Sequence, residues 1–194
     1  MQFLHIAAIA ASSLSAPQGD VLADLPPALD PGRLTELASA LLIDEPGDGR
    51  TWARAATWKA SFGPEGFTFI PFLGSDVPRN FPVQFDLKDI RVGGRAIALA
   101  DRERSRDGRT VTLDRGSVRE VYHLSDAHVE QTFVFNELPP SGELVLDLVV
   151  ATELKPQTDG AGFVFEGKYG SVSYGAATVS DGAGRSMALE QRLT

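Results

Sequence analysis

The sequence predicts an all-β fold: an antiparallel two-sheet β-sandwich of about 11–12 strands, with one short N-terminal helix. Three observations predict it. From Trp58 onward the apolar residues recur every second position, glycine- and proline-bearing turns interrupt them roughly every 8 to 12 residues, and no longer repeat unit is present that would make a propeller or solenoid. The expected division of the chain is a signal peptide (1–23), a spacer with a short helix (24–51, helix about 31–43) and the β-sandwich domain (52–194).

Phe3 to Ala16 is small and apolar, which suits a signal-peptide core and is too short to span a bilayer. Small residues at Ser15, or at Val21 and Ala23, offer cleavage positions. No Lys or Arg precedes the apolar run, so a second reading stands beside the first: an apolar strand that packs on the domain. In the spacer, Asp30 can cap backbone donors and Pro31 fits the first helical position. Leu34, Leu37, Leu41 and Leu42 then share one face, and Pro46, Gly47 and Gly49 stop the helix.

In the main domain, Trp58–Phe62 and Phe67–Phe72 flank Gly63-Pro64-Glu65-Gly66, a hairpin signature. Pro71 and Pro78 push the end of that second strand toward an edge or an irregular path, because proline donates nothing to a ladder. Val83, Phe85 and Leu87 alternate in one phase and Ile90 and Val92 in the other. Such a slip predicts a bulge near Lys88 and Asp89. Asp101–Arg109, rich in both charges, reads as a solvated hairpin loop. Glu143–Thr152 is apolar on both faces and reads as a central strand.

Composition narrows function. Eighteen basic against 26 acidic residues give a net charge of −8, which opposes nucleic-acid and anionic-membrane partners. The absence of cysteine removes disulfides, thiolate metal sites and a cysteine nucleophile. Three histidines make a histidine-rich metal site hard to assemble, no serine lies in a Gly-x-Ser-x-Gly elbow, and the paired glycines at 160–162 and 182–184 read as turns. No cofactor and no metal are expected.

One hairpin concentrates chemically capable side chains. If Ser125–His128 is a four-residue loop, Leu124 opposes Val129, His123 opposes Glu130, Tyr122 opposes Gln131 and Glu120 opposes Phe133. Glu120, Tyr122 and Gln131 then share an apolar face, and His123 and Glu130 lie on the other. These five residues are the candidate ligand-binding set. Either Glu120, Tyr122 and Gln131 form a buried hydrogen-bond cluster, or Tyr122 stacks on a ligand in a groove. Catalytic readings are a proton-accepting Glu120, a His123–Glu130 acid/base pair, or a Glu120–Glu130 glycosidase pair, which needs both carboxyls on one face. Trp52, Trp58, Tyr169 and Tyr174 could line a sugar platform if exposed.

Phe62-Gly63-Pro64-Glu65-Gly66-Phe67, Arg115-Gly116-Ser117-Val118-Arg119-Glu120-Val121-Tyr122, Val129-Glu130-Gln131-Thr132-Phe133-Val134-Phe135 and Gly142-Glu143-Leu144-Val145-Leu146 together resemble the N-terminal β-rich domain of large secreted bacterial proteins that carry FG-GAP-type, β-propeller or adhesion repeats. The resemblance covers about Trp52 to Leu193. It implies a β-rich extracytoplasmic domain and brings no defined activity. The resulting expectation is a non-catalytic binding or scaffold domain, secreted, periplasmic or at the cell surface, with a glycan or cell-surface protein as partner. The alternative is a carbohydrate-binding or carbohydrate-active module.

Overall fold

The structure is a computed structural model that describes residues 4–13 (backbone), 40–139 and 141–194. It is all-β among these residues, and every strand pairing is antiparallel. The first sheet contains β1 (Leu4–Ser13), β8 (Leu99–Asp107), β9 (Thr110–Gly116), β10 (Val118–Leu124), β11 (His128–Phe135), β13 (Lys155–Asp159), β14 (Gly162–Gly167) and β15 (Gly170–Tyr174), with the short β16 (Thr178–Ser180) and β17 (Ser186–Ala188) attached. Its order is β13-β14-β15-β1-β11-β10-β9-β8, and β16 lies beside β1. The second contains β2 (Leu42–Asp44), β3 (Thr51–Arg54), β4 (Trp58–Gly63), β5 (Gly66–Pro71), β6 (Val83–Val92), β7 (Arg95–Ala96) and β12 (Leu144–Thr152), in the order β12-β6-β5-β4-β3-β2 with β7 against β6.

Alternation explains why these segments bury one face. Val83, Phe85 and Leu87 on β6 are buried, as are Val118, Tyr122 and Leu124 on β10. Aromatic rings from the two sheets meet in a common core: Phe62 and Phe67 lie 4.8 and 5.1 Å from Tyr122, and Phe85 lies 4.8 Å from Tyr174 and 6.0 Å from Phe165. Each such fully buried ring stabilises the fold by on the order of 2 kcal/mol. The β4–β5 hairpin depends on Gly66, at φ +91°, where a Cβ would fall 2.4 Å from the Phe85 carbonyl oxygen. The phase slip in β6 is a bulge as expected: Asp147 pairs Asp89 and Leu148 pairs Leu87, which leaves Lys88 as the extra residue.

Several expectations need correction. Seventeen strands are present among the described residues rather than about a dozen, because β2, β3, β7 and β13 are short or polar and carry too little apolar alternation to be recognised, and β1 falls in the segment read as a signal peptide. Glu143–Thr152 was expected at the centre of a sheet, yet β12 is an edge strand. Its Leu144, Leu146, Leu148 and Val150 pack on the core, whereas Val149 is 51% exposed. Residues 101–107 are not a loop. They form most of β8, whose charged side chains are held by ion pairs instead of water alone. Pro71 does end β5, but that strand is interior, paired to both β4 and β6.

The helix expected at about 31–43 lies mostly outside the described residues. Its last positions, Leu42 and Ile43, open β2 instead, opposite Arg54 and Ala53. Of the 1–23 segment, Leu4–Ser13 is a strand, and the remainder lies outside the described residues.

Candidate functional site

The β10–β11 hairpin has the register that its loop length dictates, with Glu120 opposite Phe133, Tyr122 opposite Gln131, His123 opposite Glu130 and Leu124 opposite Val129. Ser125 closes the loop: its hydroxyl donates to the His128 carbonyl at 3.0 Å and accepts from the His128 amide at 3.0 Å. This register decides what each polar side chain can reach.

Glu120, Tyr122 and Gln131 are sealed, at 0, 0 and 1% exposure. They belong to one directed chain of hydrogen bonds that crosses the first sheet. The Tyr174 hydroxyl donates to Gln131 Oε1 at 3.0 Å, Gln131 Nε2 donates to the Tyr122 hydroxyl oxygen at 3.2 Å, and the Tyr122 hydroxyl donates to Glu120 Oε2 at 3.0 Å. Each neutral group orients the next, and the carboxylate ends the chain.

The other oxygen, Oε1, has no hydrogen bond, but it faces Arg102 Nε at 3.5 Å and Arg115 Nη1 at 3.9 Å. Arg102 also donates to the Pro64 carbonyl at 2.6 Å and pairs with Asp86, while Arg115 donates to the Leu87 carbonyl at 2.6 Å. The two arginines therefore tie β8 and β9 to the facing sheet through β6. Burial pushes the Glu120 carboxyl up, and Arg102, the Tyr122 hydroxyl and Arg115 oppose that rise. Burial, with Glu120 alongside, also pushes the Tyr122 and Tyr174 phenols up, so both stay protonated donors. The Glu120 carboxyl and the Tyr122 ring have no surface open to solvent.

His123 and Glu130 sit on the outer face. His123 is exposed, and its Nδ1 lies 3.1 Å from the Thr110 hydroxyl rather than against Glu130. The Glu120 and Glu130 carboxyls point to opposite faces, so the pair that glycoside hydrolysis needs is not assembled. Among the described residues no cluster of three or more His, Asp or Glu could hold a metal ion. Asp181 is taken up by Arg185 and by the amides of Ala183 and Arg185.

A different place opens to solvent. At one end of the two sheets, the β5–β6 connection, the β12–β13 corner and the β14–β15 turn enclose a cleft of about 500 Å³. Leu73, Phe81, Leu154 and Tyr169 form its apolar floor and wall, and Glu153, Lys155, Gln157, Glu166 and Lys168 form its rim. A smaller depression of about 280 Å³ adjoins it at Leu73.

The Phe81 and Tyr169 rings are 5.8 Å apart, and each carries a cation: Arg79 lies 4.6 Å from the Phe81 centroid and the Lys168 ammonium 5.2 Å from that of Tyr169. Arg79 grips Glu153 through two bonds of 2.5 Å, which hold that carboxyl below its ordinary value. Gly170, at φ +149°, lets the turn approach: a Cβ there would stand 2.8 Å from Leu73 Cδ2. Of the four aromatics singled out for a sugar platform, Trp58 and Tyr174 are core, Trp52 donates to Asp48 at 2.8 Å, and Tyr169 is 37% exposed. Sequence reasoning did not find the cleft, because its walls come from turns scattered between residues 72 and 170.

No known protein family, curated protein or solved structure matches the chain. Function therefore rests on the geometry.

Proposed function

We propose that the chain is a non-catalytic secreted or cell-surface domain, a two-sheet β-sandwich that binds or scaffolds, with its ligand face at the Phe81–Tyr169 cleft. The observation that carries this reading is the fate of Glu120. Its carboxylate is sealed behind Tyr122, Arg102 and Arg115, in a buried network that favours architecture over turnover. An extracytoplasmic place, which the sequence resemblance to the N-terminal domain of secreted repeat proteins implies, belongs to the same proposal.

A second reading, carbohydrate binding, is favoured by the exposed Tyr169 ring beside Phe81 with amide, carboxylate and ammonium groups on one rim. Glycan-array and surface-protein screens with the full chain test both. Binding abolished by Tyr169→Ala and kept by His123→Ala places the ligand face at the cleft. Turnover of any substrate that depends on Glu120 or His123 contradicts a non-catalytic domain.

A further inference from the structure

The strand orders of the two sheets end in β13 and β8 for the first and in β12 and β2 for the second. A free edge offers unpaired amides and carbonyls to any other strand, and folded proteins blunt it with charge, proline, a bulge or shortness. Three of these edges are blunted in that way. β13 is exposed throughout and carries Lys155 and Pro156. β8 carries Arg102, Glu103, Arg104 and Arg106 and breaks register between Leu99 and Glu103. β2 is three residues long.

β12 has none of these devices. Its nine residues include no lysine, proline or glycine and extend about 30 Å. The bulge beside it belongs to β6, at Lys88, so β12 itself is regular. One of its edges pairs β6 from Leu144 to Thr152, and among the described residues the other pairs no strand. Leu144, Leu146, Leu148 and Val150 touch the core yet are only partly buried, and Val149 on the opposite face is 51% exposed. Apolar surface on both sides of the sheet therefore stops at the same open ladder.

We propose that this edge is a dimer interface, at which β12 pairs antiparallel with β12 of a second copy and joins the two seven-stranded sheets into one. Self-complementarity argues for a second copy. An antiparallel pair of identical strands has two-fold symmetry, so the edge that lacks a partner supplies one. Centred on Leu148, the middle of the strand, the pairing engages all nine residues. On the core side Leu148 meets its own copy and Leu146 meets Val150. On the outer side Val145 meets Ala151 and Asp147 meets Val149. Asp147, the one charged residue of the strand, thus faces an apolar residue, and Arg91 already pairs with it at 2.6 Å. Glu143 and Glu153, which flank the strand, come opposite each other at the two ends, where Arg79 holds Glu153. Two chains of net charge −8 repel, and β12 is a long edge at which they meet without opposing like charges inside the ladder.

The test measures the mass of the full chain by sedimentation equilibrium across the micromolar range, for wild type and for two substitutions at the exposed Val149. Val149→Asp sets a carboxylate opposite Asp147 twice over, by symmetry, and should weaken the dimer by about tenfold. Val149→Lys sets an ammonium there and should keep or tighten it. A second measurement needs no substitution: the β12 amides of wild type should exchange hydrogen more slowly at high protein concentration than at low. Three results overturn the proposal: a monomer at every concentration, a dimer that Val149→Asp weakens no more than Val149→Lys does, or β12 amides whose exchange is the same in dimer and monomer.

Discussion

The Glu120 chain and the Tyr169 cleft are built from the same side-chain types, tyrosine, carboxylate and arginine or lysine, and differ in what satisfies them. In the first, Tyr174, Gln131, Tyr122 and one Glu120 oxygen are joined by hydrogen bonds within the core, and Glu120 Oε1 and Arg102 Nε face each other at 3.5 Å as an ion pair without a hydrogen bond. In the second, Arg79 and Glu153 satisfy each other at the rim while the Tyr169 ring stays 37% exposed, so a face is left for a ligand. Residue type does not assign a role here. Exposure does, and strand register sets exposure.

Substitutions at the two places should separate stability from binding. Glu120→Ala strands Arg102 and Arg115 beside a buried hole and is expected to cost about 3 to 5 kcal/mol in urea unfolding, with cleft binding unchanged in the folded fraction. Loss of under 1 kcal/mol would break the comparison, since the carboxylate would then not be structural. Gln131→Leu leaves the Tyr174 hydroxyl without its acceptor and the Tyr122 hydroxyl without its donor, for a loss of about 1 to 3 kcal/mol.

The pH dependence sharpens the same point. Burial raises the folded Glu120 carboxyl above its ordinary 4.5, so the native state holds this proton more tightly than the unfolded chain. Its contribution is fully present below that ordinary value and is lost as pH rises through the folded value. Urea midpoints measured from about pH 4 to 7 should therefore show wild type gaining on Glu120→Gln as the solution is acidified. A flat difference would mean that the carboxyl is not desolvated. Smallest in stability is Tyr169→Ala, expected within about 1 kcal/mol of wild type by thermal unfolding while ligand binding is lost.

Much of the buried region was legible because local rules govern it. A four-residue loop fixed the β10–β11 register, and from that register followed the burial of Glu120, Tyr122 and Gln131. The slip between Leu87 and Ile90 gave away the Lys88 bulge. Other features depend on partners distant in sequence. Arg102 and Arg104 turn inward at alternate positions of β8, a period of two that their charge disguised as loop, because Asp86 and Glu45 that receive them lie elsewhere in the chain. β12 is apolar on both faces, which suggested a sheet centre, but the sheet simply ends there. The cleft had no local signal at all, since Leu73, Leu154 and Tyr169 come together only when three separate turns pack.

The most direct test of the contrast between sealed and open regions uses the three tyrosines of the chain, Tyr122, Tyr169 and Tyr174. Brief nitration of the native protein with tetranitromethane, followed by peptide mass mapping, should modify Tyr169 and leave Tyr122 and Tyr174 untouched until the protein is unfolded. Modification of Tyr122 or Tyr174 at the rate of Tyr169 would show that the Glu120 cluster is open to solvent and would contradict the account.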